Sequence, residues 1–115
     1  MKKIILFILP ALFLLGVSVA FAHPPSDIII TYDAATKTLT AEIKHSVSNV
    51  TQHYIKKVDI GLNGKEIAEL TFKKQDSYFS QTITYTLTDP KPGDKVSVEA
   101  YCSISGKLEK EIEIK

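Results

Sequence analysis

From residue 27 onward, apolar and polar residues alternate in short runs separated by turn formers, the mark of half-buried β-strands rather than of helices. Residues 27–32 (DIIITY) are rich in β-branched side chains. Residues 38–44 (TLTAEIK) put Leu39, Ala41 and Ile43 on one face and Thr38, Thr40 and Glu42 on the other. Residues 33–37 between them read as a turn, so the two runs form a hairpin. The same parity carries His45 to the apolar side at the end of the second strand. A third strand over 53–62 sets Val58, Ile60 and Leu62 in register, and Asn63-Gly64 closes a tight hairpin because both residues accept positive φ. The return over 65–74 carries Ile67, Leu70 and Phe72, and the step from Ile67 to Leu70 breaks the period of two, predicting a bulge near Ala68. Ile83, Tyr85 and Leu87 face inward over 81–87. Residues 88–94 hold two prolines and a glycine, which exclude helix. Val96, Val98, Ala100 and Cys102 share a face of a sixth strand, and Leu108, Ile112 and Ile114 line a seventh whose outer face carries Glu109, Glu111 and Glu113. Seven short strands without helical periodicity predict an all-β, immunoglobulin-like antiparallel β-sandwich.

The first residues follow a different rule. Met1-Lys2-Lys3 is basic, residues 4–19 are almost continuously apolar, and Ala20-Phe21-Ala22 is a small-x-small cleavage signal. Residues 1–22 therefore read as a secretory signal peptide and residues 23–115 as the domain. The apolar run is short for a membrane span of about 20 residues, so no membrane anchor is expected after cleavage, and the protein is expected in the periplasm or outside the cell. At 115 residues the chain has room for one ordinary domain. Loss of Lys2 and Lys3 takes the formal charge from +1 to −1, and the chain contains no arginine. Nucleic acid, usually met by arginine-rich patches, is thus not an expected partner. A domain this small buries a modest core, which a bound metal can supplement. Its single cysteine cannot form an internal disulfide, and an idle thiol oxidises in an oxidising compartment. That favours a ligand role over that of a small buried hydrophobe.

The remaining chemistry lies in that cysteine and three histidines. His23 precedes the first strand, His45 ends the second, His53 opens the third and Cys102 ends the sixth. Loops of a sandwich gather at its two ends. These four side chains can therefore meet at one end around a metal, and imidazole with thiolate suits iron, copper or zinc. No local spacing such as H-x-x-x-H or C-x-x-C is present, so the competing reading is three unrelated histidines and a buried thiol. Ser26, Ser103 and Ser105 have no visible base and orienting group, so a serine hydrolase is not expected.

The motifs around these residues resemble those of the desulfoferrodoxin and superoxide reductase family. His45-Ser46-Val47 and His53-Tyr54-Ile55-Lys56-Lys57-Val58-Asp59 match a segment of the form H-P-M…H-Y-I-x-W-I-E, His23-Pro24-Pro25 matches K-H-V-P, and Cys102-Ser103-Ile104-Ser105-Gly106 matches C-N-x-H-G. The likeness runs through residues 23–115. It implies an immunoglobulin-like sandwich and a mononuclear non-haem iron site, held in the family by four histidines and one thiolate. It also implies one-electron reduction of superoxide by ferrous iron, with an electron-donor protein as partner. Carried over by position, the metal ligands are His23, His45, His53 and Cys102. Ser105 stands where the pattern has its last histidine, Lys57 where it has tryptophan, and Ala22 where it has the lysine that attracts superoxide. A His₃Cys set could hold iron, or zinc or copper instead.

Two other readings stay open. The Asn63-Gly64-Lys65 stretch and the Pro92-Gly93-Asp94 loop also resemble the Z subunit of the thiosulfate-oxidation carrier, a non-catalytic β-sandwich interaction module. Separately, cleavage after Ala22 would give His23 a free α-amine beside its imidazole. Its amine and Nδ1 can chelate Cu(II), and a second histidine completes a histidine brace.

Overall fold

A computed structural model describes residues 23–115; the expected signal peptide, residues 1–22, lies outside the described residues. Seven strands form: β1 (Asp27–Asp33), β2 (Thr38–Lys44), β3 (Ile55–Leu62), β4 (Lys65–Thr71), β5 (Ser80–Thr86), β6 (Lys95–Cys102) and β7 (Lys107–Glu113). Among the described residues there is no helix. Every pairing is antiparallel, in one sheet of order β1-β2-β5 and another of order β4-β3-β6-β7.

The alternation predicted from the sequence is what packs the two sheets together. Leu39, Ala41 and Ile43 of β2 meet Val58 and Ile60 of β3 and Val96, Val98 and Ala100 of β6, all fully buried. Burying each large aliphatic side chain stabilises the sandwich by about 1.5–3 kcal/mol. Asn63 (φ 50°) and Gly64 (φ 85°) make the tight turn that folds β4 back on β3. This hairpin sets the topology. The fourth strand of a constant-type immunoglobulin domain pairs in the other sheet, whereas here β4 stays beside β3. Residues 72–79 then carry the chain across to β5. The bulge falls where the broken period placed it: Ile60 pairs with Ala68 but Gly61 with Glu66, leaving Ile67 unpaired and 37% exposed.

Two strand limits differ from the sequence reading. β3 begins at Ile55, so His53 belongs to the loop before it; Tyr54 is held instead by Ser103, whose Oγ accepts its N–H and whose N–H donates to its carbonyl. β4 ends at Thr71, and the polar run after it leaves the sheet because Gln75 is drawn inward.

Antiparallel pairing sends successive connections to alternate ends of the sandwich. The turn before β2, the Asn63-Gly64 turn and the loop before β6 lie at one end, tied by Leu87 N–H to Lys37 O and Asn63 N–H to Lys95 O. Residues 23–26, 45–54, 72–79 and 103–106 gather at the other. That end carries the histidines.

Candidate metal centre

His45 follows β2 in its inward parity and is fully buried, with its N–H donated to Phe79 O at 2.9 Å. His53 closes a turn in which its N–H reaches Asn49 O at 3.0 Å, while Asn49 Oδ1 accepts from Thr51 N–H and Thr51 Oγ–H. His23 lies on the segment before β1, at the surface. Its neighbour Pro24 packs against Gly106, whose position a Cβ would fill at 2.9 Å from Pro24 Cβ. Three segments remote in sequence thus bring three imidazoles together. Ring centroids are 4.9 Å apart for His23 and His45, 5.0 Å for His23 and His53, and 4.8 Å for His45 and His53. One ring nitrogen from each lies within 4.8 Å of the others.

The hydrogen bonds reveal a residue that sequence reasoning missed. Gln75, 1% exposed, places Oε1 2.8 Å from His45 Nδ1, while its Nε2 donates to His45 O at 2.7 Å and Ser77 O at 2.9 Å. Two carbonyls can only accept, so they determine which way the amide faces, and Oε1 must accept from His45 Nδ1–H. A neutral His45 then carries its lone pair on Nε2; the nearest oxygen, His23 O at 3.3 Å, can only accept, so that ring makes no hydrogen bond to it and the carbonyl must give way to any ion that Nε2 binds. No motif marks Gln75, which lies in the polar run Lys73-Lys74-Gln75-Asp76.

His53 offers a second open donor, since its Nε2 is buried and has no hydrogen-bond partner. Removal from water, followed by the positive charge that His45 and His23 can carry, lowers the His53 pKa from 6.5. Both changes favour the neutral ring that binds metals. His23 sets each ring nitrogen 3.1 Å from a carbonyl, Pro24 O and Ser46 O. A neutral ring can donate to only one of them, leaving the other nitrogen for a cation. Nitrogens arranged tetrahedrally at about 2.0–2.1 Å from an ion stand about 3.4 Å apart, so a small inward closure of the triad would suit one. Three imidazoles converging on one point, one of them with a buried and unpartnered nitrogen, fit a borderline metal ion.

Cys102 lies at the same end of the sandwich, opposite Ile55 in the β3–β6 ladder and just before the Ser103–Tyr54 contact. Cys102 is 2% exposed, counts among the buried residues of the core, and accepts Ile104 N–H on its sulfur at 3.4 Å. Its sulfur is not within the histidine group, whose nitrogens are mutually within 4.8 Å. Ser105 is exposed on the same turn. Lys57, in the tryptophan position of the motif, points elsewhere: its Nζ stands 4.3 Å from the Tyr101 ring centroid and 3.6 Å from Asp59. Asp59, Glu66 and Glu69 form another possible ligand group, on the outer face of the larger sheet, where both glutamates are exposed.

Neither a family model nor a curated protein matches the chain. Solved structures do. A superoxide reductase from Giardia intestinalis superposes with a TM-score of 0.62 at 13% identity, over 80% of this chain and 100% of its own. Superoxide reductases (neelaredoxins) from Ignicoccus hospitalis and, in the reduced form, from Archaeoglobus fulgidus give TM-scores of 0.50 and 0.53. Their identities are 18% and 15%, over 86% and 84% of this chain and 86% and 92% of theirs. The chain has the superoxide reductase fold. The histidine triad lies at one end of that fold, and it is a cluster that could bind a metal.

Proposed function

We propose that this is an exported, superoxide reductase-like protein with a mononuclear iron site held by His23, His45, His53 and Cys102. The observation that carries the reading is the triad itself: three imidazoles about 5 Å apart, with the His53 Nε2 buried and unpartnered. Bound ferrous iron would supply a one-electron reductant, as the resemblance to superoxide reductases implies. The chain's own residues do the rest. His45 and His53 present ring nitrogens from positions held by backbone bonds. Gly106 admits Pro24 and so places His23. Ile104 N–H donates to the Cys102 sulfur, a contact that strengthens when the acceptor is a thiolate. An electron-donor protein is the partner this reading requires.

Anaerobic reconstitution with Fe(II) tests it. One equivalent of iron is expected, with a sulfur-to-iron charge-transfer band after oxidation that Cys102→Ser abolishes and superoxide consumption that tracks iron content. Iron uptake unchanged in His45→Ala would overturn the site. An intact band in Cys102→Ser would remove the thiolate from it.

A copper reading has one observation in its favour: the His23 backbone itself borders the cluster, with its carbonyl 3.3 Å from His45 Nε2. Processing after Ala22 would add an α-amine there. A protein beginning at His23 should then bind Cu(II) more tightly than one carrying an extra N-terminal glycine. Equal affinity and identical spectra would exclude the amine as a ligand.

A further inference from the structure

Gln75 is buried, polar and remote in sequence from every histidine, yet all the polar atoms of its side chain are engaged at the site. Its backbone is engaged as well, with Gln75 N–H donated to Val50 O at 3.0 Å in the loop that carries His53. One residue thus holds the His45 ring, the His45 carbonyl and the His53 loop together before any ion arrives. Turning the amide over would set Nε2 against Nδ1–H and Oε1 against two carbonyl oxygens, so the observed orientation is the one these neighbours permit.

We propose that Gln75 is a positioning residue for metal binding: it holds His45 in the Nδ1–H tautomer, so that the lone pair lies on Nε2 and a divalent cation of borderline softness can take the place of the His23 carbonyl, which stands 3.3 Å from that nitrogen. This rests on the metal-site reading above. An imidazole with an unconstrained ring divides between two tautomers and two flips, of which one arrangement aims a lone pair at the centre. An outer partner that accepts from the other nitrogen removes those alternatives, and loss of such a partner typically weakens metal affinity by about 10–100-fold. Gln75 is suited to the task because it must accept on one side and donate twice on the other. Neither an aliphatic side chain of the same length nor a shorter amide does both.

Two substitutions separate positioning from mere support. Gln75→Met keeps the volume but removes acceptor and donors. Gln75→Glu forfeits the paired N–H donors to His45 O and Ser77 O yet retains an oxygen facing Nδ1–H. The probe is Zn(II), which needs no redox activity, titrated against a competing chelator. Nitrogen NMR of the metal-free protein reports the His45 tautomer. The wild type is expected to show Nδ1–H and to bind zinc. Gln75→Met should bind about 10–100-fold more weakly with mixed tautomers. Gln75→Glu should lose thermal stability yet stay within a few-fold of wild-type affinity and keep the Nδ1–H signal. Zinc affinity in Gln75→Met equal to wild type would overturn the inference while leaving the metal site standing. Equal losses in both variants would reduce Gln75 to a structural support and overturn it too. An Nε2–H tautomer in the wild type would overturn it without any variant, which covers the case that Gln75→Met does not fold. A wild type that binds no zinc, cobalt or iron would remove the metal site and this inference together.

Discussion

The two ends of the sandwich are built by different means. At the end opposite the histidines, the backbone turns where local chemistry makes it turn: Lys37, Asn63, Gly64, Asp89 and Gly93 all have positive φ there. At the histidine end Gly106 alone among the described residues does, and the longer loops there are shaped by side-chain hydrogen bonds, a means the first end uses mainly at Asn63, which reaches Asp94 and Lys95. Gln75 binds His45 and Ser103 binds Tyr54, each far away in sequence. The first end closes the fold. The second holds three imidazoles near one point and leaves His53 Nε2 without a partner, an arrangement that turn chemistry alone does not produce. A site whose geometry depends on long-range contacts can be disturbed from several places without unfolding the sheets between.

Substitution in the shared core should have the largest effect on stability and little on the site. Ile60 is fully buried between the sheets. Ile60→Ala should lower the unfolding free energy by about 2–5 kcal/mol in chemical denaturation, with zinc affinity unchanged for the folded fraction. A loss below about 1 kcal/mol, typical of poorly packed or exposed sites, would contradict the packing described here.

The sharpest comparison sets one glycine at each end against the other. Gly64 and Gly106 have nearly the same φ, 85° and 91°, so alanine meets a similar backbone cost of about 1–2 kcal/mol at either. A Cβ on Gly64 meets nothing within 4 Å, whereas one on Gly106 lies 2.9–3.0 Å from Pro24 Cβ, Cα and N. Gly64→Ala should therefore leave metal affinity unchanged. Gly106→Ala should push Pro24 and His23 outward and weaken zinc binding about tenfold or more, as the loss of a supporting contact does. Equal metal affinities in the two variants would mean that the 103–106 turn does not place His23.

A smaller effect is expected from pH. Burial and neighbouring histidine charge lower the His53 pKa from 6.5. Above that value neither state binds the proton and stability is unaffected. As pH falls below it the unfolded chain takes up the proton first, so the metal-free protein loses stability until the folded pKa is passed and the curve flattens. Denaturation of metal-free protein across this window measures the slope, and His53→Asn should flatten it.

The smallest effect belongs to Tyr101, on the outer face of the larger sheet. Its hydroxyl donates to Glu99 Oε1 at 2.9 Å; that bond first, then burial and the negative charges of Glu99 and Asp59, push its pKa up to about 12. The contribution is complete below pH 10 and is lost as pH rises through 12. Phenolate absorbance should show a component titrating near pH 12, and Glu99→Gln should bring it back toward the ordinary phenol value of about 10 without altering metal affinity.

Much of this molecule is legible in its residues because strand alternation is a local property. Leu39, Ala41 and Ile43 announce the inner face of β2, the same parity buries His45, Asn63-Gly64 specifies the hairpin, and the step from Ile67 to Leu70 marks the bulge. What the tertiary structure alone decided is which distant segments meet. It brought His23, His45 and His53 within 5 Å of one another, left the Cys102 sulfur outside that group, and turned Gln75 inward across thirty residues of chain to face His45. A period of two says which way a side chain points from its own strand. It carries no information about which carbonyl or ring nitrogen awaits it from another loop, because that meeting depends on the order of strands in two sheets and on the buried hydrogen bonds that close their ends.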